Sequence, residues 1–369
     1  MGIYGFDVVL VDGLIDASLV AARLRALAGP VQTQVVAYFH ENQLTAPTAP
    51  GDRDVAKGIH WLHGARNWHT VLAADRVLFN GKTQLDAFLA APPALFSGQC
   101  RDKATRGSHG KLLRAARNKA SVLHYGLDLE ELRSRDGAPS LAERSGAAAE
   151  GAPGEAAPVI LWNARLEADK DPEEFLDVLG ALAGGEDPRP FRVVVLGSDA
   201  SQDRRYSCAL REGLGDRLLF LGFCSDRAEY GRWLCRADIL LVTAHHETFG
   251  ISVVEAAFCG VFPVLPRRLS YPELLNPKDF PGCFYGKRKS ALSVLRAALD
   301  AFVSWMSPVA SRQGAAQSWN EVCDAIAREM HGGRKATKRM LHALIAGRVI
   351  RVLAMLCKQD IADDLMPLC

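Results

Sequence analysis

Two carboxylates, Glu247 and Glu255, stand eight residues apart in the segment His245-His246-Glu247-Thr248-Phe249-Gly250-Ile251-Ser252-Val253-Val254-Glu255. Before them, Ala237 to Thr243 is the short apolar, β-branched run that a buried parallel strand needs. From Phe249-Gly250 onward apolar positions recur at helical spacing through Phe258, and Cys259-Gly260 ends the helix. Glu247 then falls on the loop at the strand's carboxyl end, and Glu255 roughly two turns into the helix. Ligands of open α/β sheets bind at that edge. Phe249, Gly250 and Ile251 open the helix, whose unpaired backbone N–H groups suit a diphosphate, with Glu247 toward a sugar and Glu255 toward ribose hydroxyls. This is the chemistry of a sugar-nucleotide site. An ordinary strand-loop-helix carrying two solvated glutamates has the same spacing.

Two cations belong to the same edge. Pro158 to Arg165 reads as a strand running into a loop, and a helix begins beyond Lys170, with Asp171 at the N-cap, Pro172 at the first helical position and Glu174 completing a capping box. Arg165 and Lys170 therefore flank a helix N-terminus, where a planar guanidinium and a compact ammonium neutralise a leaving diphosphate. A further strand, Arg192 to Leu196, ends in Gly197, which joins the donor-binding group. Cations and glutamates together make the four-point pattern of a nucleotide-sugar glycosyltransferase. His40 follows the apolar run Gln34 to Tyr38, and a histidine so placed is more often a hydrogen-bonded structural group than a catalyst.

The quartet Arg165, Lys170, Glu247 and Glu255 resembles the large retaining GT-B glycosyltransferase family. A narrower likeness lies in Tyr38-Phe39-His40-Glu41-Asn42-Gln43-Leu44, Ala74-Asp75-Arg76-Val77-Leu78-Phe79-Asn80, Asp169-Lys170-Asp171-Pro172-Glu173 and Tyr271-Pro272-Glu273. These strings resemble the tRNA-queuosine mannosyltransferases over most of residues 5 to 130 and 158 to 325. The resemblance implies an α/β fold of GT-B type, with two doubly wound Rossmann-like domains facing a cleft. It implies GDP-mannose as donor and queuosine in a tRNA anticodon as acceptor. It makes His40 a contact of the transferred sugar, catalytic together with Glu247, and gives Glu41, Asn42 and Gln43 acceptor or sugar hydrogen bonds. Family members open with a strand, a Gly-Gly-Ser-His-like loop and a Trp-rich stretch. Here His40 follows only two predicted strands, Phe6 to Val11 and Gln34 to Tyr38, separated by a helix from Ala17 to Leu27, so the opening βα unit is expected to be missing.

Glycosyl transfer develops positive charge at the anomeric carbon and negative charge on the leaving phosphate. Arg165 and Lys170 suit the second charge, and Glu247 is the best-placed carboxylate for the first. On this fold the cations and the helix dipole take the part that magnesium plays elsewhere, so no metal and no cofactor is expected.

These residues need two sheets to hold them. At 369 residues and 49% hydrophobic, the chain can bury two cores of ordinary domain size. Residues 1–130 are expected to form an acceptor-side domain, 131–157 a linker rich in Ala, Gly and Pro, 158–325 the nucleotide-sugar domain, and 326–369 a basic tail. A net charge of +2 confines any nucleic-acid contact to local patches. One such patch lies between Arg101 and Lys119, where Arg106, Lys111, Arg114 and Lys119 are candidate tRNA-phosphate contacts; a solvated loop followed by a basic helix face is the plainer alternative. A second, from Arg334 to Leu353, reads as an amphipathic basic helix with RNA, an anionic surface or its own domain as partner, its own domain being the favoured reading.

The nine cysteines include no CxxC and no Cys/His cluster at zinc spacing, and the amino terminus lacks a secretory pattern. A cytoplasmic, and also nuclear, location without a membrane partner is expected. Two rival readings stay open: transfer to a lipid, glycan or small molecule, and an inactive relative that only binds nucleotide or RNA. A nicotinamide oxidoreductase is disfavoured, because no strand runs into a GxGxxG turn.

Overall fold

A computed structural model describes residues 6–26, 33–46, 60–91, 103–127, 129, 132, 157–197, 204–286, 290–306 and 352–355. The chain folds as two compact units, Met1–Gly126 with Gly332–Cys369, and Leu127–His331. Both are built on parallel sheets.

In the first unit β1 (Val8–Asp12), β2 (Gln34–Phe39), β3 (Arg76–Phe79) and β4 (Ala120–Val122) lie side by side in that order. Alternation along each strand sends Val9, Val11, Val35, Ala37, Phe39, Val77 and Phe79 to one core. The same core takes Ala17 and Ala21 of α1 (Ala17–Ala26), Trp68 and Val71 of α2 (His60–Ala73), Phe88 of α3 (Lys82–Ala90) and Ala116 of α4 (Lys103–Lys119). Phe39, Phe79 and Phe88 form its centre, with ring centroids 4.9 to 5.6 Å apart. The alternate positions Val36, Tyr38 and Leu78 pack with Leu123 on the other face.

In the second unit β5 (Val159–Asn163), β6 (Arg192–Leu196), β7 (Leu218–Gly222), β8 (Ile239–Leu241), β9 (Phe262–Pro266) and β10 (Phe284–Tyr285) form a sheet in the order β10-β9-β8-β5-β6-β7. Helices α5 (Pro172–Gly184), α6 (Arg204–Leu214), α7 (Arg227–Arg236), α8 (Ile251–Phe258), the single turn α9 (Tyr271–Leu274) and α10 (Ala291–Met306) connect and follow the strands. Burial on both faces explains why β5, β6 and β8 read as unbroken apolar runs. Two parallel sheets, each carrying helices, are the elements that the GT-B class requires. Among the described residues no helix is long and apolar enough to cross a membrane.

The tail expectation changes at its end. Val352 and Leu353, expected at the end of a basic helix, instead begin β11 (Val352–Met355), which pairs in parallel with β1 through Val8↔Val352 and Leu10↔Ala354. An edge strand offers a row of unpaired N–H and C=O groups, and a short apolar segment satisfies them better as strand than as isolated helix. The remainder of 334–351 lies outside the described residues. So does most of 131–157, but Leu132 is 1% exposed and its carbonyl abuts α7, where a Cβ on Gly231 would come within 2.6 Å of it.

Candidate active site

In a parallel sheet all carboxyl ends meet at one edge, and in the second unit that edge gathers the loops after β5, β8 and β9. Thr243 Oγ1 donates to the carbonyls of Lys170 and Asp171 at 2.7 and 2.9 Å. The N–H groups of His245 and His246 donate to the Asp169 carbonyl at 2.7 and 3.2 Å. These bonds stitch the β5 loop to the β8 loop and bring Lys170 to Glu247. Lys170 is buried, donates from Nζ to the His246 carbonyl at 2.5 Å, and stands 3.4 Å from Asp169 Oδ2 and 3.6 Å from Glu247 Oε2. An ammonium out of water persists only with such partners.

Glu247 turns back on its own loop. Its Oε1 accepts the N–H groups of Thr248, Phe249 and Gly250 at 3.0, 3.3 and 3.1 Å. The carboxylate therefore takes the N–H groups up to Gly250, and those after it, of Ile251 and Ser252, lie in a first helical turn that has no intrahelical acceptor for them. Gly250 is favoured by its φ of 102°, and a Cβ there would also lie 2.8 Å from the end of the Leu274 side chain. Phe249 is buried, a core anchor for the loop, whereas Ile251 is exposed beside the helix start. Tyr271 lies beneath the site, and burial, then the Glu247 charge, holds its phenol well above the usual range and so neutral.

Asp171 caps α5 as expected, accepting the Glu174 N–H at 2.9 Å, with a left-handed φ of 54°. Glu174 does not close the box; burial raises its pKa, and its Oε2 stands 3.8 Å from Arg268. Arg268 donates to the carbonyls of Ala244 and Thr243 at 2.9 and 2.7 Å, which clamps the β8 loop from the end of β9. Asp171, Glu174 and His245 bring three possible metal-ligand atoms within 4.8 Å of one another. His245 Nε2 already lies 2.9 Å from Asp171 Oδ2, and Arg268 supplies a cation beside the group.

Arg165 and Gly197 occupy the neighbouring strand ends. Arg165 is solvent-facing and paired with Glu167 at 2.7 Å, so it is the exposed cation of the pair, whereas Lys170 is the built-in one. Gly197, φ 98°, passes so near Ala164 that a Cβ would sit 3.0 Å from that backbone.

Glu255 lies just over one turn into α8, nearer the helix start than expected, and is 7% exposed. Its Oε1 is 2.8 Å from Arg227 Nη2, and its Oε2 accepts from the Tyr230 hydroxyl at 2.6 Å. Asn163 Nδ2 donates to the Tyr230 oxygen at 2.8 Å and to the Ser252 carbonyl at 3.3 Å. Burial and then the Glu255 charge raise the Tyr230 phenol far above its usual range, so it stays a donor. Sequence reasoning missed Asn163, Arg227, Tyr230 and Arg268. Arg268 stands just past the end of a strand, the same signal that flagged Arg165; Arg227 and Tyr230 share a helix face by their spacing, but no local pattern points them at Glu255.

The first unit has an edge of its own. His40, one residue past β2, has Nε2 3.4 Å from Asp12 Oδ2 at the end of β1, and Nδ1 2.6 Å from the Tyr125 hydroxyl beyond β4. Asn80, one residue past β3, donates to the His40 carbonyl at 2.7 Å. The resemblance had pointed to Glu41, Asn42 and Gln43. Asn42 is 1% exposed and spent on the turn: its amide donates to Thr45 Oγ1 and Gln84 Oε1 and accepts from the Thr45 N–H. Gln43 donates its backbone N–H to Asn67 at 2.7 Å, leaving its side chain and that of Glu41 partly exposed.

Most of the cationic run forms α4, which holds Arg106, Lys111, Arg114 and Lys119. Lys111, Arg114 and Arg117 are exposed. Lys119 is turned inward instead, where its Nζ donates to the carbonyls of Leu72 and Ala74 at 2.8 and 2.6 Å, and burial lowers its pKa. It anchors the end of α2.

Comparison with known proteins bears on both units. Residues 4–127 match the family model described as tRNA-queuosine alpha-mannosyltransferase N-terminal, and residues 148–293 match glycosyl transferases group 1. The tRNA-queuosine alpha-mannosyltransferase of Drosophila melanogaster is 32% identical over 244 residues, which cover 66% of this chain and 59% of that one. A GDP-mannose-dependent alpha-(1-6)-phosphatidylinositol dimannoside mannosyltransferase of Mycobacterium tuberculosis is 32% identical over 113 residues, 30% of this chain and 28% of its own. The chain thus spans less than two thirds of the length of these relatives. The Candida albicans trehalose-6-phosphate phosphatase N-terminal domain shares the fold, with a TM-score of 0.61 at 10% identity over 94% of this chain and 72% of that structure.

Proposed function

This chain belongs to the tRNA-queuosine alpha-mannosyltransferase family, and from that membership we propose that it transfers mannose from GDP-mannose to queuosine in a tRNA anticodon. The observation that carries the reading is the pairing of buried Lys170 with partly buried Glu247 immediately before the first-turn N–H groups of α8. In this reading the diphosphate lies against Lys170, Arg165 and the Ile251 and Ser252 N–H groups. Glu255, held by Arg227 and Tyr230, takes the ribose hydroxyls. Glu247, fixed by three N–H bonds, faces the sugar, where a carboxylate stabilises positive charge at the anomeric carbon. The transfer is proposed to retain anomeric configuration and to need no metal, because fixed cations and a helix N-terminus meet the leaving group.

The acceptor falls to the first unit, where His40 stands at a sheet edge and the exposed cations of α4 suit tRNA phosphates. The test is transfer of labelled mannose from GDP-mannose to tRNA with and without queuosine. Label on queuosine tRNA alone is the expected result; tighter binding of UDP than GDP, or label on neither RNA, would overturn the assignment.

A further inference from the structure

Tyr271 opens the single turn α9 just past β9, and its side chain is buried, at 1% exposure. One edge of its ring lies against the start of α8, where a Cβ built on Gly250 would stand 3.4 Å from Tyr271 Cε1, the carbon next to the one that bears the hydroxyl. The charged neighbours of the phenol are Glu247, Arg268 and Asp169, all at the same carboxyl edge of the second sheet. Its hydroxyl nevertheless has no hydrogen-bond partner among the described residues. The other two buried tyrosines of the described residues differ in this: Tyr38 and Tyr285 donate to the carbonyls of Leu123 and Val242 at 2.8 and 2.7 Å. Ser270 repeats the pattern one residue earlier. It is 3% exposed at the N-cap of α9, where a serine ordinarily accepts a backbone N–H, but its side chain makes no cap bond and its Oγ has no partner among the described residues. A buried hydroxyl left unmet costs stability. Two in succession, at the edge where ligands of parallel sheets bind, mark room kept for polar atoms from outside the chain.

We propose that the Tyr271 hydroxyl binds a hydroxyl of the transferred sugar, so that the second unit selects its donor by the sugar as well as by the nucleotide. This rests on the sugar-transfer reading above. Among the groups of a sugar nucleotide, the surroundings favour a hydroxyl. Glu247 and Asp169 place negative charge beside the phenol, which repels a phosphate. A sugar hydroxyl both accepts and donates, so it can accept from the phenol and donate to a carboxylate. Glu247 Oε1 is taken by three N–H groups of its own loop, whereas Oε2 carries none of them and stands 3.6 Å from Lys170 Nζ. Oε2 is thus the acceptor for that hydroxyl, and burial keeps the phenol protonated as its donor. Every protein group in this contact belongs to the second unit. A site built to bond a substrate hydroxyl rejects the analogue that lacks it, because its own buried group is then left unpaired.

The test crosses one side-chain oxygen with one sugar oxygen. Wild-type and Tyr271→Phe full-length chains are titrated with GDP, with GDP-mannose and with each monodeoxy form of GDP-mannose, and transfer is measured with the same donors. In the wild type one deoxy donor should be poorer than GDP-mannose by roughly tenfold or more. In Tyr271→Phe the affinity for GDP should hold, GDP-mannose should weaken by a similar factor, and that same deoxy donor should lose nothing further, because the two oxygens share one bond. The substrate-free variant should unfold at the same denaturant concentration as the wild type or a higher one, since the hydroxyl it lacks had no partner to lose. A Tyr271→Phe chain that keeps the wild-type preference among the donors, or that unfolds at clearly lower denaturant, would overturn the proposal. A wild-type chain that binds another nucleotide sugar in place of GDP-mannose would instead overturn the parent reading, and the same cross run with that sugar's deoxy forms would still decide Tyr271. Binding of no nucleotide sugar at all would overturn both.

Discussion

Tyr230 donates to Glu255 at 2.6 Å while accepting from Asn163 at 2.8 Å, so one phenol ties α7, α8 and the end of β5 together. The bond holds a buried carboxylate in place. Tyr230→Phe keeps the ring that stacks under the Arg227 guanidinium, but leaves Glu255 and Asn163 each short of a partner. The expected cost is about 1–3 kcal/mol of stability in chemical denaturation. GDP affinity, measured by calorimetry at a temperature where the variant is folded, should fall as well. Unchanged GDP affinity would detach this network from the nucleotide.

Glu247→Gln separates the carboxylate's charge from its scaffold role. The amide oxygen can still accept the three N–H groups of its loop, so the fold should hold, while the negative charge proposed to face the sugar is gone. Turnover should fall at least tenfold with little change in GDP affinity, the pattern of an interaction made mainly in the transition state. Wild-type turnover would remove Glu247 from catalysis.

Arg165 and Lys170 should part company. Arg165 is solvent-facing, so Arg165→Ala should change stability by less than about 0.5 kcal/mol and weaken GDP binding by roughly 1–3 kcal/mol. Lys170→Ala should weaken binding and also destabilise the fold, because it strands the partly buried carboxylates of Asp169 and Glu247. Paired calorimetry and denaturation of both variants make the comparison. Equal stability of the two would contradict the buried pairing.

What sequence reveals here follows from the range of the interactions. Buried parallel strands leave apolar runs, so β1, β2, β5, β6 and β8 stand out, and with them the loops that carry His40, Arg165, Lys170 and Glu247. The Asp171-Pro172 start of α5 is local chemistry and equally legible. The partners of those residues are not. Tyr230 meets Glu255 across 25 positions and Tyr125 meets His40 across 85, distances that only the sheet register closes. Asn42 is singled out by resemblance alone, and its bonds to Thr45 and to Gln84, 42 positions away, are not legible in the local sequence. Val352 and Leu353 read as the end of an amphipathic basic helix because they continue its apolar positions, and the edge of β1 decides the matter.

The cationic helix α4 divides in the same way, which sharpens the test of tRNA binding. Lys119 spends its ammonium on the Leu72 and Ala74 carbonyls, whereas Lys111 and Arg114 face solvent. Replacing Arg106, Lys111 and Arg114 with Gln should therefore weaken tRNA binding and flatten its salt dependence, since each lost phosphate contact releases about one counterion fewer. GDP affinity should stay constant, because the nucleotide is assigned to the other unit. Lys119→Gln should do the reverse, lowering stability through the lost carbonyl anchors while leaving the salt slope as it was. Losses for tRNA with and without queuosine should be nearly equal, because phosphate contacts position the acceptor without reading the base. Filter binding at several salt concentrations decides it. An unchanged slope in the triple variant would make α4 a solvated face, and a slope that falls with Lys119→Gln alone would overturn its structural assignment.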